Sequence, residues 1–236
     1  MIDLHCHLLP AFDDGARDWT ETLEMCQLAI GAGVKIIVAT PHWREVKRHG
    51  SQRMYQLVAE LNQRLQQLDW PLEIKPGCEA MLSPELPAAW RQGKLPGLNG
   101  GERLLLELPW DYLGHNWLEQ IYQLQLAGAS LAIAHPERTP ALACDWSKIQ
   151  RLAELEAGFQ ITAGSLLGAF GTEAEKIAWR VLKQDWPVAV AGDAHDASYY
   201  VMARAYEMVK GKLGQVKAEA AFIFVPRSWL GGADAS

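Results

Sequence analysis

The chain opens on a pair of histidines one residue apart: Ile2-Asp3-Leu4-His5-Cys6-His7 is a short apolar run ending in His-x-His. Side chains alternate along a strand, so His5 and His7 point to one side and Cys6 to the other. Two imidazoles so placed can share one metal ion. Further apolar runs lead into Thr40-Pro41-His42, Gly77-Cys78-Glu79, Leu106-Glu107-Leu108, Ala134-His135-Pro136 and Gly192-Asp193-Ala194-His195. Five of the seven histidines therefore stand at or just after the close of such a run.

A single histidine at a strand end is most often a hydrogen-bonded structural residue. The repetition decides for ligation, because chance would scatter these residues. Glu107 points the same way: an ionised carboxylate in an apolar strand is costly unless a cation or hydrogen-bond donors meet it. Asp13 and Asp14 of Phe12-Asp13-Asp14-Gly15 could form only a turn, yet they follow the His-x-His pair closely enough to reach its crevice. Asp14 is expected as a ligand and Asp13 as a support behind it. His49 and His115 lie in polar or helical surroundings and are expected to face solvent.

Imidazole and carboxylate donors without cysteine suit Mn, Fe or Zn better than Ca or a structural thiolate zinc site. So many donors would oversupply one ion, and two or three ions bridged by carboxylate and hydroxide are the natural arrangement. Other nucleophiles are missing. None of the four cysteines has an arginine at the spacing of a cysteine phosphatase, and no GxSxG elbow, P-loop or GxGxxG turn occurs. Metal-activated water is the expected nucleophile.

The elements that must position these residues alternate between two periodicities. Runs rich in Val, Ile and Leu at Ile2–His5, Val34–Thr40, Leu72–Gly77, Leu104–Leu108, Leu131–Ala134, Phe159–Thr162 and Val188–Ala191 predict strands of a parallel sheet. In a barrel of such strands the C-terminal ends converge on one crevice, where active sites lie. Between them Asp18, with Glu21 three residues on, starts a helix in a capping-box-like way, and Gly33 ends it. Ser51 opens the next, with Met54, Leu57, Val58, Leu61, Leu65 and Leu68 on one face. Helices are also expected over 115–127, 147–157, 172–184 and 198–212.

At 236 residues, 49% apolar and 21% charged, without a linker-like segment, the chain is expected to form one domain over 1–230, with 231–236 a disordered tail. A net charge of −6 argues against a protein that tracks a nucleic-acid backbone. The start MIDLHCHLLP is not a basic-then-apolar leader, and no apolar stretch is long enough to span a bilayer, so a cytoplasmic protein without membrane insertion is expected. The cysteines lack CxxC spacing, which points to reduced, mostly buried thiols.

In order, MIDLHCHLLPAFDDGA, ATPH, PGCEA, LLLELP, AIAHPER, QITAGSLLGAFG and GDAH resemble the motifs of the PHP superfamily, and within it the bacterial capsular-polysaccharide type of manganese-dependent protein-tyrosine phosphatase. The resemblance runs from Met1 to about Met208. It implies an α/β PHP fold, a distorted seven-stranded (β/α) TIM-like barrel, with a trinuclear metal site. By the same resemblance His5, His7, Glu79 and Asp193 hold one ion, Glu79 bridges to a second held with Glu107 and His135, and Asp14, His42 and His195 hold a third. It implies manganese, with Fe, Zn or Mg as the other divalent candidates. Arg138 would meet the substrate phosphate, where its fork matches phosphoryl oxygens; the plain alternative is a salt bridge with Glu137. The implied reaction is in-line attack of a metal-bridging hydroxide on phosphotyrosine, and the implied partner is a tyrosine-kinase autophosphorylation tail in exopolysaccharide export.

Two stretches depart from the family pattern. After His42 the chain reads Trp43-Arg44-Glu45-Val46-Lys47-Arg48 where a second His and a Gly-containing loop are common, so Arg44 is a candidate second phosphate contact. Asp196 stands where Asn is more usual. Two other readings fit the same ligands: a small-molecule phosphatase, as for histidinol phosphate, or a noncatalytic partner-binding protein that keeps metals for structure. The filled ligand positions speak against the second.

Overall fold

The structure is a computed structural model that describes residues 1–198 and 200–231. Among the described residues eight strands form: β1 Ile2–Cys6, β2 Ile36–Ala39, β3 Glu73–Pro76, β4 Glu79–Met81, β5 Arg103–Glu107, β6 Ser130–Ala134, β7 Gly158–Thr162 and β8 Val188–Ala191. All pairings are parallel, in a three-stranded sheet β1-β2-β3 and a five-stranded sheet β4-β5-β6-β7-β8. Single parallel pairings, His42 with Glu79 and Cys6 with Ala194, bring the two sheets together.

The expectation of a seven-stranded barrel is therefore met only in its parallel α/β character: the structure has eight strands in two sheets. The extra strand comes from a break after Leu72–Gly77. Pro76 closes β3 because it has no N–H to donate to the ladder. The chain re-enters, two residues later, as β4 of the other sheet.

The helices are α1 Trp19–Gly31, α2 Trp43–His49, α3 Ser51–Gln67, α4 Leu86–Arg91, α5 Trp117–Leu126, α6 Pro140–Ala143, α7 Trp146–Glu154, α8 Thr172–Leu182, α9 Met202–Leu213, α10 Gln215–Glu219 and α11 Val225–Trp229; the longer ones cover the outer faces, and α11 packs on the inner cluster. Strand alternation sorts the core into two clusters. Leu104, Leu106, Leu131, Ile133, Phe159 and Ile161 pack outward under the helices. Leu105, Ala132, Ala134, Ala189 and Ala191 pack inward, where small side chains suit the confined space.

Local signals set several boundaries. The Asp18 carboxylate accepts from the backbone N–H of Thr20 and Glu21, capping α1. The capping box is only half formed, because Glu21 turns back to Arg17 instead of to Asp18. Ser51 is the first residue of α3 rather than its cap, and Leu68 is exposed while the rest of that apolar face is buried. The helix expected from 198 begins at Met202, since the Asp196 carboxylate accepts from the Ser198 N–H and holds a turn there. α2 follows His42 directly and has no capping side chain, but Glu45 in its first turn, Lys47, Arg48 and His49 in its last and Gly50 at its end favour a helix there. The tail expected over 231–236 lies, past Gly231, outside the described residues. Among the described residues no helix is long and apolar enough to cross a membrane.

The inner cluster is plugged at the N-terminal ends of the strands by Trp229, against which the first residues of β5 and β7 pack: the Arg103 guanidinium lies 5.1 Å from its ring, and a Cβ on Gly158 would stand 2.4 Å from Cζ2. Gly158→Ala should therefore destabilise by about 1–3 kcal/mol, as overpacking does. Gly31→Ala, which meets nothing within 4 Å, should not. Chemical denaturation of the two variants checks this, and equal midpoints would show that the plug is loose.

Candidate metal centre

The opposite, C-terminal ends of the strands gather the polar residues. The register between β1 and β2 shifts between Asp3 and Cys6. Leu4 lies in the inner cluster and Cys6 in the outer one, so the shift lets His5 and His7 both turn inward. Their Nε2 atoms stand 3.1 Å apart. The ring nitrogens behind them are engaged: His5 Nδ1 lies 2.9 Å from Gln160 Oε1, and His7 Nδ1 lies 2.7 Å from Asp13 Oδ2. Such back-side partners fix the tautomer and leave Nε2 free to ligate.

Glu79, buried at the start of β4, is the hub. Its Oε2 lies 3.5 Å from His5 Nε2, 3.6 Å from His7 Nε2 and 3.1 Å from His42 Nδ1, while Oε1 lies 2.9 Å from His135 Nε2. Asp193 Oδ1 is 3.2 Å from His5 Nε2, and Glu107 Oε1 is 3.9 Å from His135 Nε2. Asp14 Oδ1 is 3.3 Å from His42 Nε2 and 3.7 Å from His195 Nε2. All nine sequence-predicted ligands thus meet, in four overlapping groups: His7, Asp14, His42 and His195; His5, His7 and Asp193; His5, Glu79 and His135; His42, Glu79 and Glu107. His5, His7 and His42 each serve two groups, a sharing that the expected partition did not include.

The donors shift one another's protonation strongly. Burial alone would strip the proton from His5, but the Asp193 and Glu79 charges hold its pKa up at about 10. Burial would raise Glu79, yet the His5 charge and hydrogen bonds from His135 and His42 keep it well below the usual carboxylate range. Burial and the neighbouring Glu79 charge push Glu107 up. Converging imidazole and carboxylate donors with their back sides tied are what divalent ions require, so the residues fit a metal cluster.

The backbone reinforces this. His135 and Asp193 both adopt positive φ, 30° and 50°, a sparsely populated conformation for residues with a side chain. Strain of this kind collects where function over-determines geometry. Gly15 lets the Asp13-Asp14 turn fold onto β1, since a Cβ there would meet the His7 carbonyl oxygen. Asp13 takes the supporting place expected of it, also accepting from the His42 N–H at 3.1 Å.

Arg138 and Arg44 both line the cleft over this centre, with different engagement. Arg138 Nη1 donates to Asp193 Oδ2, and its guanidinium stacks on Phe170 at 4.2 Å. The alternative salt bridge with Glu137 is absent: that carboxylate is buried, accepting from the Thr162 N–H at 2.9 Å and the Ser165 hydroxyl at 2.7 Å. Arg138 is thus closer to the ligands than expected, because Asp193 is its partner. Arg44 is exposed at the rim and pairs with Glu45. His49 and His115 face solvent as expected.

Sequence reading overlooked Gln160, Glu137 and Phe170. Gln160 had a signal: a carboxamide on an apolar strand must find partners, and it takes His5 Nδ1 and the His135 N–H. Cys6 faces the outer core, its thiol reaching only the Ala194 carbonyl oxygen. Cys6→Ser should therefore keep full turnover on an aryl phosphate; an inactive but folded variant would restore a thiol mechanism.

Comparison with known proteins matches this arrangement. The family model for capsular polysaccharide synthesis, CpsB/CapC, matches residues 1–230. The tyrosine-protein phosphatase YwqE of Bacillus subtilis is 36% identical over 197 residues, covering 83% of this chain and 78% of the relative. The putative tyrosine-protein phosphatase CapC of Staphylococcus aureus is 30% identical, covering 83% and 77%. Among solved structures, a chain from the work on YwqE of Bacillus subtilis and CpsB of Streptococcus pneumoniae, metal-dependent tyrosine phosphatases, superposes with a TM-score of 0.89 at 31% identity over 98% of this chain and 94% of that one. A β-aspartyl dipeptidase from Fervidobacterium islandicum shares the fold alone, with a TM-score of 0.58 at 12% identity. On sequence and on structure together, the chain belongs to the CpsB/CapC family of capsular polysaccharide synthesis.

Proposed function

We propose that this chain is a metal-dependent protein-tyrosine phosphatase and that residues 1–230 act as one phosphoesterase domain. The carrying observation is the convergence of nine donors, Glu79 among them, beneath a cleft that Arg138 also lines, in a chain whose relatives are named tyrosine phosphatases. His5, His7, Asp14, His42, Glu79, Glu107, His135, Asp193 and His195 would hold two or three divalent ions, with manganese the preferred metal. Ions so held supply Lewis acidity and lower the pKa of water.

The chain's own residues do the rest. Gln160 and Asp13 keep the His5 and His7 rings turned inward. Arg138 presents a fork to the phosphoryl oxygens, and Phe170 behind it holds the guanidinium plane. A phenolate leaves with a reference pKa near 10, so the site needs less help protonating it than it would an alkoxide. The pairings Cys6–Ala194 and His42–Glu79 support reading the two sheets as one distorted barrel. Free, mostly buried thiols suit a cytoplasmic location, and the family's place in capsule synthesis suits a tyrosine-kinase tail of polysaccharide export as substrate.

Turnover of a phosphotyrosyl peptide, a phosphoseryl peptide and histidinol phosphate, each after chelation and after return of Mn, Fe, Zn or Mg, tests the reading. Chelation should abolish activity, manganese should restore it best, and phosphotyrosine should be preferred. Chelator-insensitive turnover or preference for histidinol phosphate would overturn it.

A further inference from the structure

The cleft is built in two layers by strand periodicity. In the β4–β5 pair Glu79 stands opposite Leu105 and Met81 opposite Glu107. Glu79 and Met81 leave the same face of β4, with Met81 one repeat, roughly 6–7 Å, nearer the mouth. Their environments differ accordingly: Glu79 is 2% exposed and Met81 48%. On the neighbouring wall Trp110, three residues after Glu107, is 40% exposed. Its ring lies 6.4 Å from that of His135, the planes 27° apart. Its carbonyl oxygen accepts from the Ala141 N–H at 3.0 Å, which fixes the loop that carries it. Both side chains line one cleft of about 530 Å³, whose floor is the donor cluster.

Single exposed apolar residues are ordinary on a protein surface. Two that line one cleft over a polar floor form a surface with a shape. We propose that Met81 and Trp110 form an aryl-binding collar at the mouth of the cleft over the donor cluster, and that the collar selects aromatic over aliphatic phosphomonoesters. The proposal rests on the phosphatase reading. With a phosphoryl group among the donors, its ester substituent extends toward the mouth of the cleft, which these two exposed side chains line. A phenyl ring there gains a thioether contact on one side and an indole contact on the other. A seryl ester, with a single methylene, reaches neither.

The test uses non-hydrolysable probes on the manganese-loaded chain: phenylphosphonate and methylphosphonate, with affinities from calorimetry and bound metal from elemental analysis. The unsubstituted chain should prefer phenylphosphonate by at least about tenfold, the scale on which apolar pockets discriminate. Trp110→Ala and Met81→Ser should each remove most of that preference and leave methylphosphonate affinity and metal content unchanged. An undiminished preference in the double variant, or none in the unsubstituted chain, would overturn the collar. So would loss of metal together with both probes, which would make Trp110 a support for His135. If the preference is present and falls in the variants while no phosphotyrosyl peptide is hydrolysed, the collar stands and the phosphatase reading fails.

Discussion

Glu79→Gln should abolish turnover while leaving the fold intact. The amide keeps the size and shape of the side chain, so packing at the start of β4 is preserved. It removes the charge that four imidazoles share, His5, His7, His42 and His135 all lying within 3.6 Å of its oxygens. No other carboxylate can substitute, because Asp193 reaches the His5 and His7 side of the centre and Glu107 the His135 side. Metal catalysis of this kind is worth several kcal/mol, and at about 1.36 kcal/mol per decade the loss is on the order of 10³-fold or more. Bound metal per chain should fall with it. Elemental analysis, circular dichroism and steady-state kinetics on an aryl phosphate check the prediction, and a variant with full metal and near-normal turnover would sink the hub role. Glu107→Ala and His135→Ala should also lose metal and activity, since each takes a donor from one group.

Arg138→Ala should cut turnover on phosphorylated substrates by on the order of 10²-fold, by analogy with deletion of a single donor to a developing oxyanion. Arg138 follows His135 by three residues, and its N–H returns to the His135 carbonyl oxygen at 2.9 Å. That turn projects the side chain over the centre, where Phe170 and Asp193 hold it. The metal should stay, because Asp193 keeps His5 at 3.2 Å after the arginine is gone. Arg138→Lys should retain only part of the rate, a point charge being no replacement for a bidentate fork. Wild-type turnover in Arg138→Ala would reduce the residue to a structural partner of Asp193, and metal loss would show that it supports the cluster.

Glu79 and Arg138 are both legible in the sequence as residues of interest, because strand ends and the His-Pro-Glu-Arg motif mark them. That Glu79 touches four histidines, His5 in β1 and His7, His42 and His135 just past the ends of β1, β2 and β6, could not be read from spacing. Nor could the partner of Arg138: adjacency suggested Glu137, but Glu137 points the other way, into Thr162 and Ser165.

What the sequence determined by itself is the list of donors and the end of the sheets on which they lie. Apolar runs fix strands locally, alternation fixes which side chains share a face, and the residues that end each run follow from counting. Tertiary structure decided the rest. It followed the strand that ends at Pro76 with a short strand of the other sheet, and it turned His5 inward through a register shift. It also enlisted Gln160 and set Met81 and Trp110 in one cleft. Each of these depends on contacts between residues far apart in the chain. Local propensity carries no information about such contacts, because their energies arise only when the sheets close on one another.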